Sequence, residues 1–166
     1  MTRAKSVASL VTLLLAAACV RPAPTLGPAS DADVEAVAAI LATFDSCGRV
    51  GALDEVISHS ADDVVLLAPD QPAVVGRDAV RELYKGSYAA VALDMQHRPL
   101  ETQSLGELVI SRGTASGTAT PRAGGPSTTF DNKYLQLFRR QSDGTLKAWR
   151  VAFNTNAPPV APGRAP

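Results

Sequence analysis

The side chains able to do chemistry are scattered along this sequence. His97 sits inside a strand-like run beside Arg98 and Pro99, where a lone histidine reads as a solvated or internally satisfied side chain. Asp62-Asp63 opens another run and suits turn and helix-end hydrogen bonding. Asp78, after Arg77, suits the positive end of a helix dipole. Cys47 lies near a helix end and reads as a buried structural thiol, with neither histidine near it in sequence. No His/Asp/Glu/Cys group has metal-ligand spacing, no GxGxxG or P-loop is present, and no cofactor is implied. The later strand-like runs carry further polar and aromatic side chains. Strand parity puts Trp149, Val151 and Phe153 on one face and Ala148, Arg150 and Ala152 on the other.

The elements that must carry these residues come in two blocks. Ser30, with Asp33 three residues on, has the form of an Asp-variant capping box. Val34, Val37, Ala38, Leu41 and Phe44 then recur at helical spacing, and Gly48 is expected to stop that helix. Leu53, Val56 and Ile57 mark a short second helix, and Asp78 to Tyr88 a third. Val64–Leu67 and Val74-Val75 read as short strands. Four long strands follow, over 95–105, 108–120, 130–140 and 145–154, punctuated by Gly106, a Pro121–Pro126 loop and Asp143-Gly144. Helices before and an antiparallel meander after make an α+β pattern. A strand of about ten residues spans roughly 33 Å. A curved sheet of that length outruns the helices in its concavity and leaves a cavity.

The first 18 residues read as a bacterial secretory signal peptide. Arg3 and Lys5 precede an apolar run, Val7 to Ala18, that is short of the about 20 residues a membrane span needs. The run ends in Leu15-Ala16-Ala17-Ala18-Cys19, which resembles a lipobox, with Cys19 as the acylated residue. Ordinary cleavage after Ala18 is the alternative. Acylation would anchor the protein to a membrane of the cell envelope, at the outer membrane facing the periplasm or at the cell surface. Without it the protein would be secreted or periplasmic. Residues 19–29 read as an extended Pro-rich linker, 30–157 as the folded domain and 158–166 as a disordered Pro-rich tail. Sixteen basic residues balance sixteen acidic ones without a basic stripe, which speaks against a nucleic-acid partner. With Cys19 acylated, Cys47 is the only thiol left and a disulfide framework is ruled out.

The stretches ADDVVLLAPDQPAVVGRDAVRELY, GELVISRG and FDNKYLQLFRRQSDGTLKAWRVAFNTNAP together resemble the SnoaL-like branch of the nuclear transport factor 2 superfamily. The resemblance implies three N-terminal helices packed in the concave face of a curved, mostly antiparallel sheet, a cystatin-like cone with a pocket. It implies that Trp149, Val151 and Phe153 face inward, with Asn132, Tyr134, Gln136 and Phe138 beside them and Ile110, Arg112, Thr114 and Ser116 on the earlier strand. A buried Arg112 would need Asp70 or an anionic ligand as partner. It also implies a homodimer through the outer sheet face, with Leu135 and Leu137 beside Ser111, Gly113 and Ala115.

The catalytic residues of ketosteroid-isomerase relatives do not carry over. Phe44 or Ile40 stands at the tyrosine position, Ala68 at the base position and Gln136 at the second acid position. Arg112 and Asp70 supply only half of an epoxide-hydrolase-type relay, and Val151 stands where many relatives have an acid. The leading expectation is therefore a pocketed domain binding a small apolar molecule, through Trp149, Tyr134, Gln136, Arg112 and Phe153. A small-molecule isomerase, hydrolase or dehydratase comes second and a structural or interaction domain third.

Overall fold

The computed structural model describes residues 23–157; the signal segment, Cys19 and the tail from 158 lie outside them. A short β1 (Gly27–Pro28) precedes α1 (Asp31–Val50), α2 (Leu53–Ser58), β2 (Ser60–Leu67), β3 (Val74–Val75) and α3 (Arg77–Ala90). Four long strands complete the chain: β4 (Val91–Leu105), β5 (Leu108–Pro121), β6 (Thr128–Arg140) and β7 (Leu146–Thr155). The sheet order is β1-β4-β5-β6-β7-β2-β3. Every pairing is antiparallel except β2 with β7. This is the expected α+β cone, with helices on one face of a curved, mostly antiparallel sheet.

Helix α1 begins as the sequence dictates, with the Ser30 hydroxyl accepting the Asp33 N–H at 3.2 Å. It does not stop at Gly48. The helix runs on to Val50 and ends at Gly51, whose φ of 77° is the left-handed conformation glycine adopts at little cost. Gly48 serves packing instead. A Cβ there would stand 3.1 Å from the Leu93 carbonyl oxygen, so its absence lets the helix lie against β4.

The apolar stripe of α1 buries Val37, Ile40 and Leu41 against Val109, Phe138, Leu146 and Ala148 of the sheet. This packing fills one end of the cone. A smaller cluster of Ile57, Val64, Leu66 and Val80 lies under α3. Between the two clusters the sheet and helices diverge, and that divergence makes the site.

Two departures from simple strand alternation set which side chains face inward. Across β6–β7, Leu137 pairs with Arg150 but Phe138 pairs with Ala148, so Trp149 is an extra residue on β7. Such a bulge reverses the parity of the strand beyond it. Ala148 therefore points inward along with Val151 and Phe153, and Trp149 is turned out. On β5 the inward set is Val109, Ser111, Gly113 and Ala115, not Ile110, Arg112, Thr114 and Ser116. These positions are small because Tyr134 crosses them. A Cβ on Gly113 would stand 2.8 Å from the Tyr134 hydroxyl and would also collide with the Arg98 carbonyl. The outer face is correspondingly different from expectation. Leu135 is there, and Ser111, Gly113 and Ala115 are not.

The segment before α1 is built into the fold. Gly27 and Pro28 pair with Ser104 and Gln103, the Ala29 N–H donates to the Thr102 carbonyl at 3.3 Å, and Pro24 packs on Gly106. That contact closes part of the β4 edge. Pro99, which has no N–H, and a bulge between Pro99 and Glu101 interrupt the edge further along.

Candidate functional site

The cone encloses a cavity of about 290 Å³ lined by β4–β7, β2 and all three helices. Its lining is mainly apolar, and its composition is skewed. The chain has eight aromatic residues, and all three tyrosines and three of the four phenylalanines line this one space. They are Phe44, Tyr84, Tyr88, Phe130, Tyr134 and Phe153. Tyr84 and Tyr88, one helical turn apart on α3, stack with ring centroids 5.9 Å apart. No lysine, arginine or carboxylate is among the lining residues.

His97, Tyr134 and Gln136 lie on the β4–β6 wall. His97 on β4 meets Asp45 on α1, whose Oδ1 lies 2.6 Å from His97 Nδ1 and whose Oδ2 accepts the His97 backbone N–H at 2.9 Å. Both side chains are largely buried, His97 at 7% and Asp45 at 18% exposure. A carboxylate beside Nδ1 fixes the tautomer with the proton on Nδ1. In the neutral imidazole Nε2 then keeps its lone pair, on a ring that lines the cavity. The same ring packs edge-on against Tyr134 at 5.4 Å and Phe44 at 6.5 Å.

Beside it, Ser111 and Gln136 face each other across β5–β6, with Tyr134 one inward step along β6. Ser111 Oγ, the Tyr134 hydroxyl and Gln136 Oε1 are buried and have no hydrogen-bond partner among the described residues. Each such orphan costs about 1–3 kcal/mol. Ser111 Oγ sits beside the Tyr134 hydroxyl, outside the cavity lining, whereas the Tyr134 hydroxyl and Gln136 Oε1 belong to side chains that line it. Burial pushes the Tyr134 phenol up, against a lowering from the neighbouring Ser111 hydroxyl, and the Asp45 charge adds to the rise. Burial alone pushes Tyr84 up to about 12. Tyr88 is raised by burial first, then by Tyr84 and Cys47. All three phenols are therefore protonated donors at neutral pH.

Of the residues singled out from sequence, Tyr134, Gln136 and Phe153 line the cavity, and Trp149 and Arg112 do not. The bulge turns Trp149 to the outer side, where its indole N–H donates to Asp63 Oδ2 at 2.9 Å. There its ring lies under the Arg150 guanidinium at 3.9 Å and the Arg139 guanidinium at 5.1 Å. Arg112 is exposed and pairs with Glu101 across β4–β5; Asp70 sits instead in a turn with φ of 59°. The Asp62-Asp63 pair forms ion pairs, and Asp63 reaches across the sheet to Arg139 and Trp149 rather than to a turn or helix end. Asp62 pairs with Arg77 at 2.5 Å, and hydrogen bonds from Arg139 and then Trp149 hold Asp63 down at about 2.

Asp45 and the α3 tyrosines were missed from sequence. The signal for Asp45 was its spacing. Val37, Leu41 and Asp45 recur every fourth residue, which carries the acid onto the buried face of α1.

The sequence profile of the SnoaL-like domain matches residues 30–149. The chain belongs to the SnoaL-like family. Solved structures agree with that fold. A ketosteroid isomerase-like protein from Erwinia carotovora atroseptica is 25% identical, with a TM-score of 0.69 over 78% of this chain and 100% of that one. A candidate dehydratase of the NTF2-like family from Streptomyces avermitilis is 20% identical, with a TM-score of 0.67 over 78% and 100%. An NTF2-like superfamily protein from Salmonella enterica serovar Typhimurium is only 10% identical, yet its TM-score is 0.70 over 82% and 99%. No curated protein sequence matches the chain significantly. SnoaL-like membership accounts for the cone and its cavity; it does not name the ligand.

Proposed function

We propose that this SnoaL-like cone binds a neutral, compact, ring-bearing small molecule that carries at least one hydrogen-bonding oxygen. The observation that carries this reading is the convergence of six of the chain's eight aromatics on a single cavity whose wall also holds unpartnered Tyr134 and Gln136. Aromatic walls favour a planar partner through stacked and edge-on contacts, each worth about 0.5–1.5 kcal/mol beyond burial. A carboxylate or phosphate is disfavoured, because no cationic side chain lines the space and an unpaired buried charge is costly. The volume of about 290 Å³ is at the small end for ligand pockets, which suits one or two rings rather than a long chain. A thermal-shift screen of neutral ring compounds against matched carboxylates tests this. Stabilisation by the neutral set alone supports the reading, and stabilisation by the carboxylates alone overturns it.

A second, enzymatic reading rests on the Asp45–His97 pair. A neutral imidazole with Nδ1–H held by a carboxylate presents Nε2 as a proton acceptor. The Tyr134 hydroxyl, on the same wall, would donate to an oxygen gaining charge, and Gln136 Oε1 would accept from a substrate hydroxyl. The class of reaction is proton abstraction next to a carbonyl, as in an isomerisation or dehydration. His97→Gln, which keeps size and polarity, should abolish turnover while leaving binding within a few-fold.

The address remains a proposal: a lipid anchor at Cys19, in the cell envelope. Loss of membrane association in Cys19→Ala supports it. A homodimer is proposed on the outer sheet face, through the row Leu67, Ala152 and Leu135 rather than the small residues of β5.

A further inference from the structure

The cavity and the N-terminal segment lie at opposite ends of the cone. At one end, α1 and the sheet close on Val109, Phe138 and Leu146, and the β4–β5 and β6–β7 turns sit side by side, with the Arg140 N–H donating to the Glu107 carbonyl at 2.8 Å. At the other end lie the lining residues Tyr88, Leu93, Phe130 and Asn132, near the start of β4 and the β5–β6 loop. The core fills the first end, so the cavity mouth is assigned to this one.

The incoming chain is fastened at the closed end. Gly27 and Pro28 run antiparallel to β4 from Ser104 toward Gln103, and Pro24 lies against Gly106 at the β4–β5 turn. Its direction is set by strand pairing, so it leaves past the closed end and not past the mouth. Only three residues lie between Cys19 and Ala23, the first described residue, so the four steps reach about 14 Å when fully extended. Leu93 and Leu105 are twelve residues apart on β4, roughly 40 Å of strand.

We infer that strand β1 is an orienting strap: it holds the closed end toward the anchoring surface and turns the cavity mouth away from it. The ligand then enters from the aqueous compartment or from a water-borne carrier, and is not drawn sideways out of the bilayer. The inference rests on the proposed acylation of Cys19. It goes beyond that reading, because a freely extended linker would permit every orientation.

The test uses the full processed chain in vesicles containing a lipid with a nitroxide on its headgroup, which quenches fluorophores near the surface. A thiol-reactive dye is placed at Ser142→Cys, in the closed-end turn, or at Ala123→Cys, in the loop by the mouth. Both native residues are exposed, and the parent chain with its buried Cys47 is the blank. The Ser142 dye should be quenched at least about threefold more than the Ala123 dye, given tips about 40 Å apart. Inserting about twenty Gly/Ser residues between Pro22 and Ala23 leaves β1 bound but frees the domain, and should erase the difference. A chain that floats with the vesicles and shows equal or reversed quenching overturns the orientation alone. A chain that does not float overturns the anchoring reading and the inference with it.

Discussion

Asp45→Asn isolates what the buried carboxylate does for His97. Asparagine has the same shape, so its carbonyl oxygen can still accept the His97 backbone N–H now held at 2.9 Å. Its other group is a donor where Asp45 Oδ1 accepts from Nδ1 at 2.6 Å. The imidazole must then offer Nδ1 as acceptor, and its proton moves to Nε2. A hydrogen bond to a charged group contributes about 1.5–3 kcal/mol and a neutral one about 0.5–1.5, so the variant should lose roughly 1–1.5 kcal/mol. For a domain of this size that is a fall of a few degrees in melting temperature. Nitrogen NMR of the His97 ring reads the tautomer directly. The wild type should carry the proton on Nδ1 and the variant on Nε2, and any turnover should fall with the lost acceptor. An Asp45→Asn protein with unchanged melting and Nδ1 still protonated would refute the reasoning.

Further outcomes follow from single contacts. Gly113→Ala should destabilise by about 1–3 kcal/mol in denaturant melts, because its methyl meets the Arg98 carbonyl and the Tyr134 hydroxyl. Gln136→Leu removes an unpartnered buried amide oxygen, so it should leave thermal stability unchanged or raised while weakening binding of the ring compound. Trp149 lies outside the cavity, so its emission should stay constant as ligand fills the cone. Its emission should instead respond to acid, because Asp63 at about 2 binds its indole and is protonated only in strong acid. Asp63 is held below its ordinary 3.8, so its contribution is complete above 3.8 and lost as pH falls toward 2. That contribution is small, because the Asp63 side chain is more than half exposed. Asp63→Asn should remove that response of Trp149.

Most of the element order was legible because it depends on local signals. Ser30 capped α1, Asp143-Gly144 turned the last hairpin, and the long β runs alternated between punctuating glycines and prolines. The site was legible only in part, because inward and outward depend on register. One extra residue at Trp149 reversed the parity of β7, and only the pairing with β6 reveals it. On β5 both parities carry large apolar residues, Val109 on one and Leu108 with Ile110 on the other. What decides between them is the space Tyr134 takes from the neighbouring strand. The Asp45–His97 contact joins residues 52 positions apart, and the buried acid on an apolar helix stripe was its sole local trace.

The most direct test of the central claim is NMR mapping of the strongest-binding neutral ring compound on the isotope-labelled domain. Filling of the cone predicts ring-current shifts at Tyr84, Tyr88, Phe130, Tyr134 and the His97 ring, with Trp149 and Arg112 unmoved. Shifts confined to the outer sheet face around Trp149 and Leu135, with the cavity aromatics unchanged, would contradict it.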